Sequence, residues 1–551
     1  MTATRWVADI GGMTCAMCER HVERAVREVG GRDVSVSWRD GTATFAGDGI
    51  DEAALAAAAG ETGYTLRALR ALRPTGPTGS PGGDGGEFDL AILGSGSAAF
   101  AAAIRAREAG ARVVLIEQAT PGGTCVNVGC VPSKALLAAA DTYRQARHHR
   151  FAGIPHDDGA APDLAALVAQ KDELVAGLRQ AKYLDLVDAY GFELRQGMAR
   201  FVDAATIAVD GQPLNAASYL IATGARPALP PIDGLDRIDY LTSTTALDLD
   251  ELPRSLAVVG AYAIGLELGQ AFAHLGAEVT FLDIAERIAP FEEPEIAAAL
   301  TAILTEDGAR VVTGAHIQRA TQAPSGTIVL EGDLAGLGSR LETDRVLVAT
   351  GRAPNTSALD LRAAGVDVDE RGFVVVDDHG RTSNPRVWAA GDVTPSPQFV
   401  YVAAAQGALV ADNAVGGAGR RIDYTTLPRV TFTTPPVAAV GLTEAEAIAA
   451  GHDVATGVLC LAHVPRAIVS RDTRGVIKLV ADRRSDRLLG VHLLAPAAGE
   501  VIQAGVFALS SGMTVTQVAG AFHPYLTMAE GLKLAAQTFQ GDVAKLSCCA
   551  A

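Results

Sequence analysis

Apolar residues in the first 69 positions recur with two different periods, about two residues in some segments and about 3.6 in others. Together with a hairpin signal at Asp40-Gly41, these periods predict a β-α-β-β-α-β unit. The expected strands cover residues 5–10, 34–38, 42–46 and 65–69, and the expected helices cover residues 19–29 and 51–59.

The next stretch, residues 73–87, is rich in Pro, Gly, Thr and Ser and has no apolar period, which predicts a flexible linker. From Phe88 onward, strand and helix patterns alternate, which indicates parallel sheets. Two strand–glycine–helix segments, at residues 88–117 and 255–283, predict two nucleotide sites in one chain. After about residue 425 the pattern becomes mixed α+β, and it ends in a tail, 541–551, without periodicity.

These changes of pattern predict the domain boundaries. We expect an N-terminal domain and a linker, a first nucleotide-binding domain built from two separate parts, a second nucleotide-binding domain, and a C-terminal domain with a tail. The corresponding ranges are 1–69, 70–87, 88–235 with 351–424, 236–350, and 425–551.

Composition and charge narrow the class of protein. With 49% hydrophobic and 20% charged residues, the chain has enough apolar side chains to build several cores. Its formal charge of −17 argues against a nucleic-acid partner, which would require a basic surface. The N-terminus has no signal-peptide pattern, and the apolar stretch Leu90–Ile104 is shorter than the roughly 20 residues of a membrane span. We therefore expect a cytoplasmic protein without membrane insertion.

The cysteines carry the first chemical signal. Six of the seven lie in close pairs, and the single one, Cys460, is expected to be an apolar core residue. A chain of this length with so few cysteines is not a secreted disulfide framework, so paired thiols indicate metal or redox chemistry. The pairs are Cys15/Cys18, Cys125/Cys130 and Cys548/Cys549.

The first nucleotide segment runs from Phe88 to Glu117. Gly94 ends a strand, Gly96 allows the backbone to approach a pyrophosphate, and Ala99 keeps the following helix close to the strand. Glu117 stands at the end of the next strand, where a carboxylate can accept hydrogen bonds from ribose hydroxyls.

The second segment is less regular. Gly260 and Gly265 hold the outer glycine positions, but Tyr262 occupies the middle one. Either the loop binds its ligand at a greater distance, or the Tyr262 ring turns outward over the cofactor. Asp283, at the end of the next strand, favours NADH over NADPH because an acid disfavours a 2′-phosphate. The alternative is a structural βα unit without a ligand.

The segment Gly122–Lys134, GGTCVNVGCVPSK, is the most specific motif. On a regular helix, Cys125 and Cys130 would point about 140° apart, whereas a disulfide needs Cα atoms within about 7 Å. The first turn must therefore be distorted, and Gly129 and Pro132 suit such a distortion. A helix N-terminus also favours the reactive thiolate. The alternative is a pair of buried, unreactive cysteines.

With ATGRAPN at 349–355 and AAGD at 389–392, this motif resembles the FAD-dependent pyridine nucleotide–disulfide oxidoreductases over residues 88 to about 540. The resemblance implies an α/β core with two Rossmann-like domains, an α+β dimerisation domain and a homodimer with composite active sites. It also implies that Cys130 faces the flavin and that Cys125 is the exchange thiol. The implied FAD contacts are Thr124, Lys134, Ala199, Asp392 and Val400.

The C-terminal segment departs from most of that family. Where those enzymes have a histidine as acid/base, this chain has Tyr525, although Glu530 keeps its place and His523 lies nearby. This segment, the SCC tail with Cys548 and Cys549, and Tyr183 in RQAKYLDL resemble the branch of the family that reduces mercuric ions. The alternative to a catalytic role is that each tyrosine is a core or interface residue and that the tail is a disordered end without a function.

The N-terminal motif GGMTCAMC, with Cys15 and Cys18, resembles the heavy-metal-associated domain, a βαββαβ ferredoxin-like fold. Two exposed thiolates can take up and release soft cations, whereas a structural zinc site would need four ligands. The alternative is a thioredoxin-like redox motif.

Together these resemblances imply a relay in which Hg(II), the substrate, passes from Cys15 and Cys18 through Cys548 and Cys549 to Cys125 and Cys130. NADPH or NADH would supply the electrons through FAD, and Tyr183 and Tyr525 would line the site. Two other functions remain open. One is the reduction of an organic disulfide by the same cofactors, and the other is a copper carrier without a flavin.

Overall fold

The computed structural model describes residues 5–13, 16–37, 42–47, 49–61, 63–72, 87–157, 159 and 161–541. The chain divides into two compact units, Met1–Gly85 and Gly86–Ala551. None of the helices within the described ranges combines the length and the hydropathy that crossing a bilayer requires. The finer domain boundaries remain predictions.

The first unit has a four-stranded antiparallel sheet in the order β2-β3-β1-β4. Val22, Phe45 and Leu55 are fully buried between the sheet and two helices, because their apolar positions follow the period of each element. The element order is the one that the sequence pattern predicts: β1 Arg5–Gly11, α1 Ala16–Glu28, β2 Arg32–Ser37, β3 Thr42–Ala46, α2 Glu52–Glu61 and β4 Thr65–Leu72.

The second unit begins with a sheet in the order β7-β6-β5-β10-β9-β8, in which β5, β6, β7 and β10 are parallel and β8 to β10 form an antiparallel meander. A π-helix, Gln180–Leu184, interrupts the helices that cover the sheet. The elements are β5 Phe88–Leu93, α3 Ser97–Glu108, β6 Val113–Glu117, α4 Gly123–Asn127, α5 Cys130–His148, α6 Leu164–Arg179, α7 Asp185–Tyr190, β7 Glu193–Gln196, β8 Ala199–Phe201, β9 Thr206–Val209, β10 Gln212–Ile221 and β11 Ala225–Pro227.

A second parallel sheet follows, in the order β12-β19-β13-β14-β15, beside an antiparallel sheet of β16, β17 and β18. Short 3-10 helices cover Leu235–Arg237 and Thr245–Asp248. The elements are β12 Tyr240–Leu241, β13 Ser255–Val259, α8 Ala263–Leu275, β14 Glu278–Asp283, α9 Pro294–Glu306, β15 Arg310–Thr313, β16 His316–Gln322, β17 Ile328–Asp333, β18 Arg340–Thr343, β19 Arg345–Val348 and β20 Arg352–Pro354.

The chain then returns to the first sheet through α10 (Leu361–Ala364), β21 (Val387–Ala389) and α11 (Val400–Ala414). Strand β21 pairs in parallel with β10. Helix α11 packs against α3 at Gly407, where a Cβ would lie only 2.0 Å from the carbonyl oxygen of Ala98. The first parallel sheet is thus completed by residues that follow the second one in the chain.

The C-terminal domain is an antiparallel sheet in the order β22-β23-β26-β25-β24, with α14 packed on β23 and β26. A 3-10 helix covers Leu461–His463. The elements are β22 Arg429–Thr431, β23 Val437–Gly441, α12 Glu444–Ala449, β24 Val454–Cys460, α13 Pro465–Val469, β25 Val476–Asp482, β26 Leu488–Leu494, α14 Ala498–Ser510, α15 Val515–Gly520 and α16 Glu530–Gln537.

The expectation that Cys460 is a core residue is wrong. Burial alternates along the end of β24, so that Leu459 points into the core and Cys460 is exposed. The cause is the two-residue period of a strand at the edge of the sheet, which places neighbouring side chains on opposite faces.

Candidate active site

Two glycine-rich segments approach each other at the carboxyl end of β5. Gly94 leaves the strand with φ +111°, and a Cβ there would lie 2.4 Å from the carbonyl oxygen of Ala222. A Cβ on Gly123 would lie 2.5 Å from the Cα of Gly96. The backbones meet without side chains between them, and Ala99 is fully buried at the start of α3. This cradle of main-chain groups at a helix N-terminus suits a pyrophosphate.

Glu117 ends β6 beside the cradle, as predicted. Its carboxylate accepts a hydrogen bond of 2.5 Å from the Ser95 hydroxyl and one of 2.8 Å from the Ala119 amide. The Ser95 oxygen in turn accepts a bond of 3.2 Å from the Gly122 amide. Ser95 therefore fixes the acid and ties the two glycine segments together.

The helix that carries the cysteines is broken between them. Helix α4 ends at Asn127 and α5 begins at Cys130, with Gly129 at φ −128° and ψ −113° at the junction. Any Cβ on Gly129 would lie 2.9 Å from the carbonyl oxygen of Thr124. The predicted distortion is present, and it lets the Cys125 thiol donate a hydrogen bond to the Cys130 sulfur. Both cysteines carry free thiols.

The two thiols have opposite electrostatic character. The hydrogen bond from Cys125, the ammonium of Lys134 and the amide at the start of α5 lower the pKa of Cys130 to about 7, against the effect of burial. The pKa of Cys125 is raised, because it shares its proton with Cys130 and is partly desolvated. Cys130 is therefore the thiol that ionises first, near neutral pH, while Cys125 keeps its proton.

Lys134 lies one turn into α5, and Glu267 of α8 holds its ammonium at 2.6 Å. The other oxygen of Glu267 accepts a bond of 2.8 Å from the Phe432 amide, and the Phe432 ring lies 4.7 Å from the Lys134 ammonium. Residues from three separate parts of the chain thus fix the cation beside the thiols.

Tyr183 lies in the π-helix, a helical irregularity that is frequent at functional sites. Its hydroxyl is hydrogen-bonded to Ser97, its ring stacks edge-on against Phe100 at 4.8 Å, and a Cβ on Gly122 would lie 3.5 Å from that ring. Burial raises the pKa of Tyr183, so it is a neutral hydrogen-bonding group near the thiols.

The remaining positions expected to contact FAD lie on several elements of the same unit. Asp392 follows β21, and burial raises its pKa, while Arg352 lies 3.7 Å away. The Nε of Arg352 is buried and has no hydrogen-bond partner among the described residues. Another part of the same guanidinium group, its Nη2, donates to the Ala225 carbonyl oxygen, so Nε is the donor left for an anionic dinucleotide such as FAD. Thr124 lies in α4, Ala199 begins β8 and is buried, and Val400 begins α11.

At the second glycine segment, Gly260 and Gly265 are sterically required. A Cβ on Gly260 would lie 2.5 Å from the Ala349 carbonyl oxygen, and one on Gly265 would lie 1.9 Å from that of Gly260. Tyr262 turns its ring against Phe291, with ring centroids 5.3 Å apart. Asp283 ends β14 and accepts bonds from the Ala261 amide at 2.6 Å and the Ala285 amide at 2.8 Å. The Tyr262 ring is partly buried against the core of this domain, and which of the two expectations for it holds stays a prediction.

The C-terminal candidates lie in the loop between α15 and α16 and at the start of α16. Tyr525 is 50% exposed on the loop between α15 and α16, and His523 Nδ1 lies 3.1 Å from the carbonyl oxygen of Ala521. Glu530 is buried at the start of α16, and its Oε2 has no hydrogen-bond partner among the described residues. Cys18 is buried in α1, so the expectation that both N-terminal thiols are exposed is wrong for Cys18. The cysteines Cys15, Cys548 and Cys549, which the sequence predicts to bind the metal, lie outside the described residues.

Sequence reasoning missed Ser95, Glu267, Arg352, Tyr401 and Phe432. Arg352 stands inside the ATGRAPN motif, which was the only available signal for it. Burial raises the pKa of Tyr401 to about 12, with a smaller contribution from the charge of Cys130, and the Tyr401 hydroxyl donates a bond of 2.5 Å to the Pro428 carbonyl oxygen. Nothing local in the sequence marks Tyr401 or Phe432, because each reaches the site from a distant element.

Comparison with known proteins agrees with this site. The family model described as pyridine nucleotide-disulphide oxidoreductase matches residues 88–407, and the model of its dimerisation domain matches residues 427–536. A mercuric reductase from Staphylococcus aureus is 48% identical and covers 100% of both chains. One from Lysinibacillus sphaericus is 47% identical over 99% of this chain and 100% of its own. One from Streptomyces lividans is 52% identical over 84% of this chain and 98% of its own.

Among solved structures, the Cu(II) complex of an HOCl-induced flavoprotein disulfide reductase from Escherichia coli is similar, with a TM-score of 0.74 and 31% identity. It covers 82% of this chain and 99% of its own. From the matched family models, the full-length relatives and the dithiol beside the glycine cradle, we conclude that the chain belongs to the pyridine nucleotide-disulphide oxidoreductase family, among the mercuric reductases.

Proposed function

We propose that this chain is an enzyme that reduces Hg(II) to Hg(0) with NAD(P)H for mercury detoxification. The observation that carries the proposal is the pair of free thiols, Cys125 and Cys130, held in contact beside a dinucleotide cradle. The reaction balances as Hg(II) + NAD(P)H → Hg(0) + NAD(P)⁺ + H⁺, in which two electrons leave the coenzyme as hydride and reduce the metal.

The dithiol is the site where the substrate binds for reduction. Hg(II) is a soft cation, and thiolates are the ligands that soft cations select. Cys130 is the thiol that ionises first, near neutral pH, so it makes the first bond, and metal binding then displaces the proton of Cys125. Within the described residues, no group of three or more His, Cys, Asp or Glu side chains is arranged to hold a metal ion. A two-thiolate site leaves the mercury reducible and easily released.

The residues around the cradle fit FAD. Gly94, Gly96 and Ala99 would receive the pyrophosphate and Glu117 the ribose, and Arg352 would supply an unsatisfied donor. Backbone or side-chain contacts are assigned to Thr124, Lys134, Ala199, Asp392 and Val400. When bound there, FAD takes up hydride from the coenzyme and passes on two electrons. Lys134, held by Glu267, keeps a positive charge next to the dithiol while Cys130 is ionised.

The nicotinamide coenzyme belongs to the second glycine segment. Gly260 and Gly265 bring the backbone of the loop to the pyrophosphate, and Asp283 is positioned for the adenosine ribose. The loop's amides already bond to Asp283, which fixes the direction of that carboxylate.

Substrate delivery and assembly complete the proposal. Cys15 and Cys18 take up Hg(II) in a ferredoxin-like, heavy-metal-associated domain, and the linker raises the local metal concentration near the catalytic unit. Cys548 and Cys549 accept the metal and pass it to the dithiol. The protein is a homodimer in which Tyr525 and the tail of one subunit serve the dithiol of the other, next to Tyr183. The presence of a dimerisation domain supports this assembly.

We place the enzyme in the cytoplasm, where thiols stay reduced and NAD(P)H is available. Its domains follow the boundaries predicted from the sequence. These are 1–69, 70–87, 88–235, 236–350, 351–424 and 425–551, with the two FAD-binding parts on either side of the coenzyme-binding domain.

The test is mercury-dependent oxidation of NAD(P)H by purified, FAD-loaded protein with detection of Hg(0) vapour. Wild type should evolve one Hg(0) per NAD(P)H oxidised, and Cys125→Ala and Cys130→Ala should evolve none. Coenzyme oxidation without mercury vapour would overturn the proposal.

The second candidate is reduction of an organic disulfide, which the similarity to the Escherichia coli disulfide reductase favours. In that case a small or protein disulfide would be reduced rapidly, and loss of Cys548 and Cys549 would not slow the reaction. A copper carrier, by contrast, would bind Cu(I) through Cys15 and Cys18 and show no flavin absorbance.

A further inference from the structure

The segment Pro428–Thr434, which we call the strap, enters the C-terminal domain along helix α8. The Arg429 guanidinium binds Glu292, just before α9, the Phe432 amide binds Glu267 of α8, and the Thr434 backbone binds Gln270 of α8. The last contact is double, with bonds of 2.7 Å and 3.0 Å. Helix α8 starts at the second glycine segment, and its Glu267 binds Lys134 beside the dithiol. The strap therefore contacts a helix that links the proposed coenzyme site to the dithiol.

At the N-terminal end of α8, the strap reaches Tyr262 through one residue. Glu292 is 3% exposed and accepts bonds of 2.9 Å and 3.2 Å from Arg429. The Tyr262 hydroxyl donates to the same carboxylate over 3.3 Å. The ring of Tyr262 is further held by Phe291, which is itself 69% exposed. The side chain that replaces a glycine in the fingerprint is therefore fixed at both its ring and its hydroxyl.

We propose that Arg429 is a positioning residue for the nicotinamide coenzyme, which acts through Glu292 to hold the Tyr262 ring clear of the pyrophosphate position. This inference rests on the proposed use of NAD(P)H at the second glycine segment. It assigns a role in coenzyme binding to a residue of the C-terminal domain that lies 137 positions from its partner in the chain.

The physical basis is steric. At the middle position of a dinucleotide fingerprint, a glycine leaves room for the backbone to approach the phosphates, and a tyrosine ring in the same space would exclude them. Tyr262 has extended backbone, φ −121° and ψ −166°, and its carbonyl oxygen accepts the first bond of α8 from Leu266 at 2.8 Å. Its side chain must leave the cradle, and Glu292 provides the acceptor that keeps it out. Burial raises the pKa of Tyr262 to about 12, so its hydroxyl stays a donor throughout the working pH range.

The experiment measures binding of NAD⁺ to the FAD-loaded enzyme by titration calorimetry, without mercury. Arg429→Met, Glu292→Gln and Tyr262→Phe should each raise the Kd for NAD⁺ about fivefold, the effect of one lost hydrogen bond. Arg429→Lys should recover part of the affinity. The double variant Arg429→Met with Tyr262→Phe should bind no more weakly than the weaker single variant, because both changes break one chain of contacts.

Arg254→Met is the matched control. Arg254 also pairs with a carboxylate in the coenzyme domain, Asp344 at 3.2 Å, but it lies at the opposite end of β13 and is 91% exposed. Its removal should leave the Kd unchanged.

An unchanged Kd in Tyr262→Phe, or additive losses in the double variant, would overturn the inference. If Arg429→Met does not fold, because it leaves Glu292 buried without its partner, Arg429→Lys and Tyr262→Phe decide the question. A protein that binds NAD⁺ with this dependence but evolves no Hg(0) would refute the proposed function alone.

Discussion

The ammonium of Lys134 lies 2.6 Å from the carboxylate of Glu267, which stands 133 positions later in the chain. The pair joins α5, which begins at the reactive cysteine, to α8, which begins at the coenzyme loop. Its two charges act on the Cys130 thiolate with opposite sign, since Lys134 lowers the pKa of Cys130 and Glu267 raises it. The ion pair therefore contributes, after the larger effect of the hydrogen bond from Cys125, to how much thiolate is present at neutral pH.

Exchanging either partner of this pair should move the Cys130 titration in a defined direction. In Glu267→Gln the pKa of Cys130 should fall below its present value of about 7, because a repelling negative charge is gone. In Lys134→Met it should rise toward the ordinary cysteine value of about 8.5. The ultraviolet absorbance of the thiolate, followed against pH and corrected with Cys130→Ser, measures both. Shifts of the same sign in the two variants would contradict this electrostatic account.

The same ionisation should govern the pH dependence of mercury reduction. Because the pKa of Cys130 is lowered to about 7, its thiolate is present above pH 7 and is lost as the pH falls through that value. We expect kcat/KM for Hg(II) to decline about tenfold per pH unit well below pH 7, as expected for loss of one essential ionised group. A profile that stays flat down to pH 5 would show that Cys130 ionisation does not limit the reaction.

The vicinal tail cysteines should matter for delivery of the metal. Cys548→Ala with Cys549→Ala should lower kcat/KM for thiol-bound Hg(II) by about tenfold or more, because exchange between thiolates needs an accessible entry site. The rate of FAD reduction by NADH should not change. Cys460→Ala is the control, since Cys460 is exposed but is not part of the relay. Equal losses in the control and the tail variant would remove the case for a specific role of the tail.

Coenzyme preference should follow the charge at the end of β14. Asp283 is fixed there by two amide bonds, Glu286 follows three residues later, and the Arg287 guanidinium is bound to the Pro290 carbonyl oxygen at 2.8 Å. A 2′-phosphate would meet negative charge, so kcat/KM should favour NADH over NADPH by about tenfold or more. Asp283→Asn keeps one acceptor oxygen and removes the charge, and it should narrow that ratio. A wild-type enzyme that prefers NADPH would contradict this assignment.

Gly265→Ala should destabilise the coenzyme domain. The added Cβ would meet the Gly260 carbonyl oxygen at 1.9 Å, so the loop or the helix must shift, at a cost of about 1–3 kcal/mol. Gly177→Ala is the matched control, because Gly177 lies inside α6 with nothing within 4 Å of its missing Cβ. That change should stabilise the helix by about 0.5–1 kcal/mol. Thermal unfolding measures both variants, and the unfolding temperature should fall in Gly265→Ala and rise in Gly177→Ala.

Much of this molecule is predictable from local sequence, because the motifs that indicate its elements and sites each span few residues. The two glycine segments, the acids Glu117 and Asp283 and the broken helix between Cys125 and Cys130 each follow from residues within about thirty positions of one another. Strand and helix periods likewise give the element order of the first unit, and for the second they give the alternation of strands and helices. The glycine segments depend on close backbone approach, and the helices and strands depend on the side-chain period. Both causes act between residues that are near one another in the chain.

Other features were decided by tertiary structure, because they depend on pairings between distant segments. The exposure of Cys460 follows from its register on an edge strand, and the direction of the Tyr262 ring follows from Glu292 and Arg429. Glu267 and Phe432 reach Lys134 from elements more than a hundred residues away. Sequence alone thus predicted which thiols react and which cofactors fit, while packing between domains determined the charges and contacts around those thiols. The reason is that a pKa or a ring orientation depends on all neighbours in space, and most of these are remote in the chain.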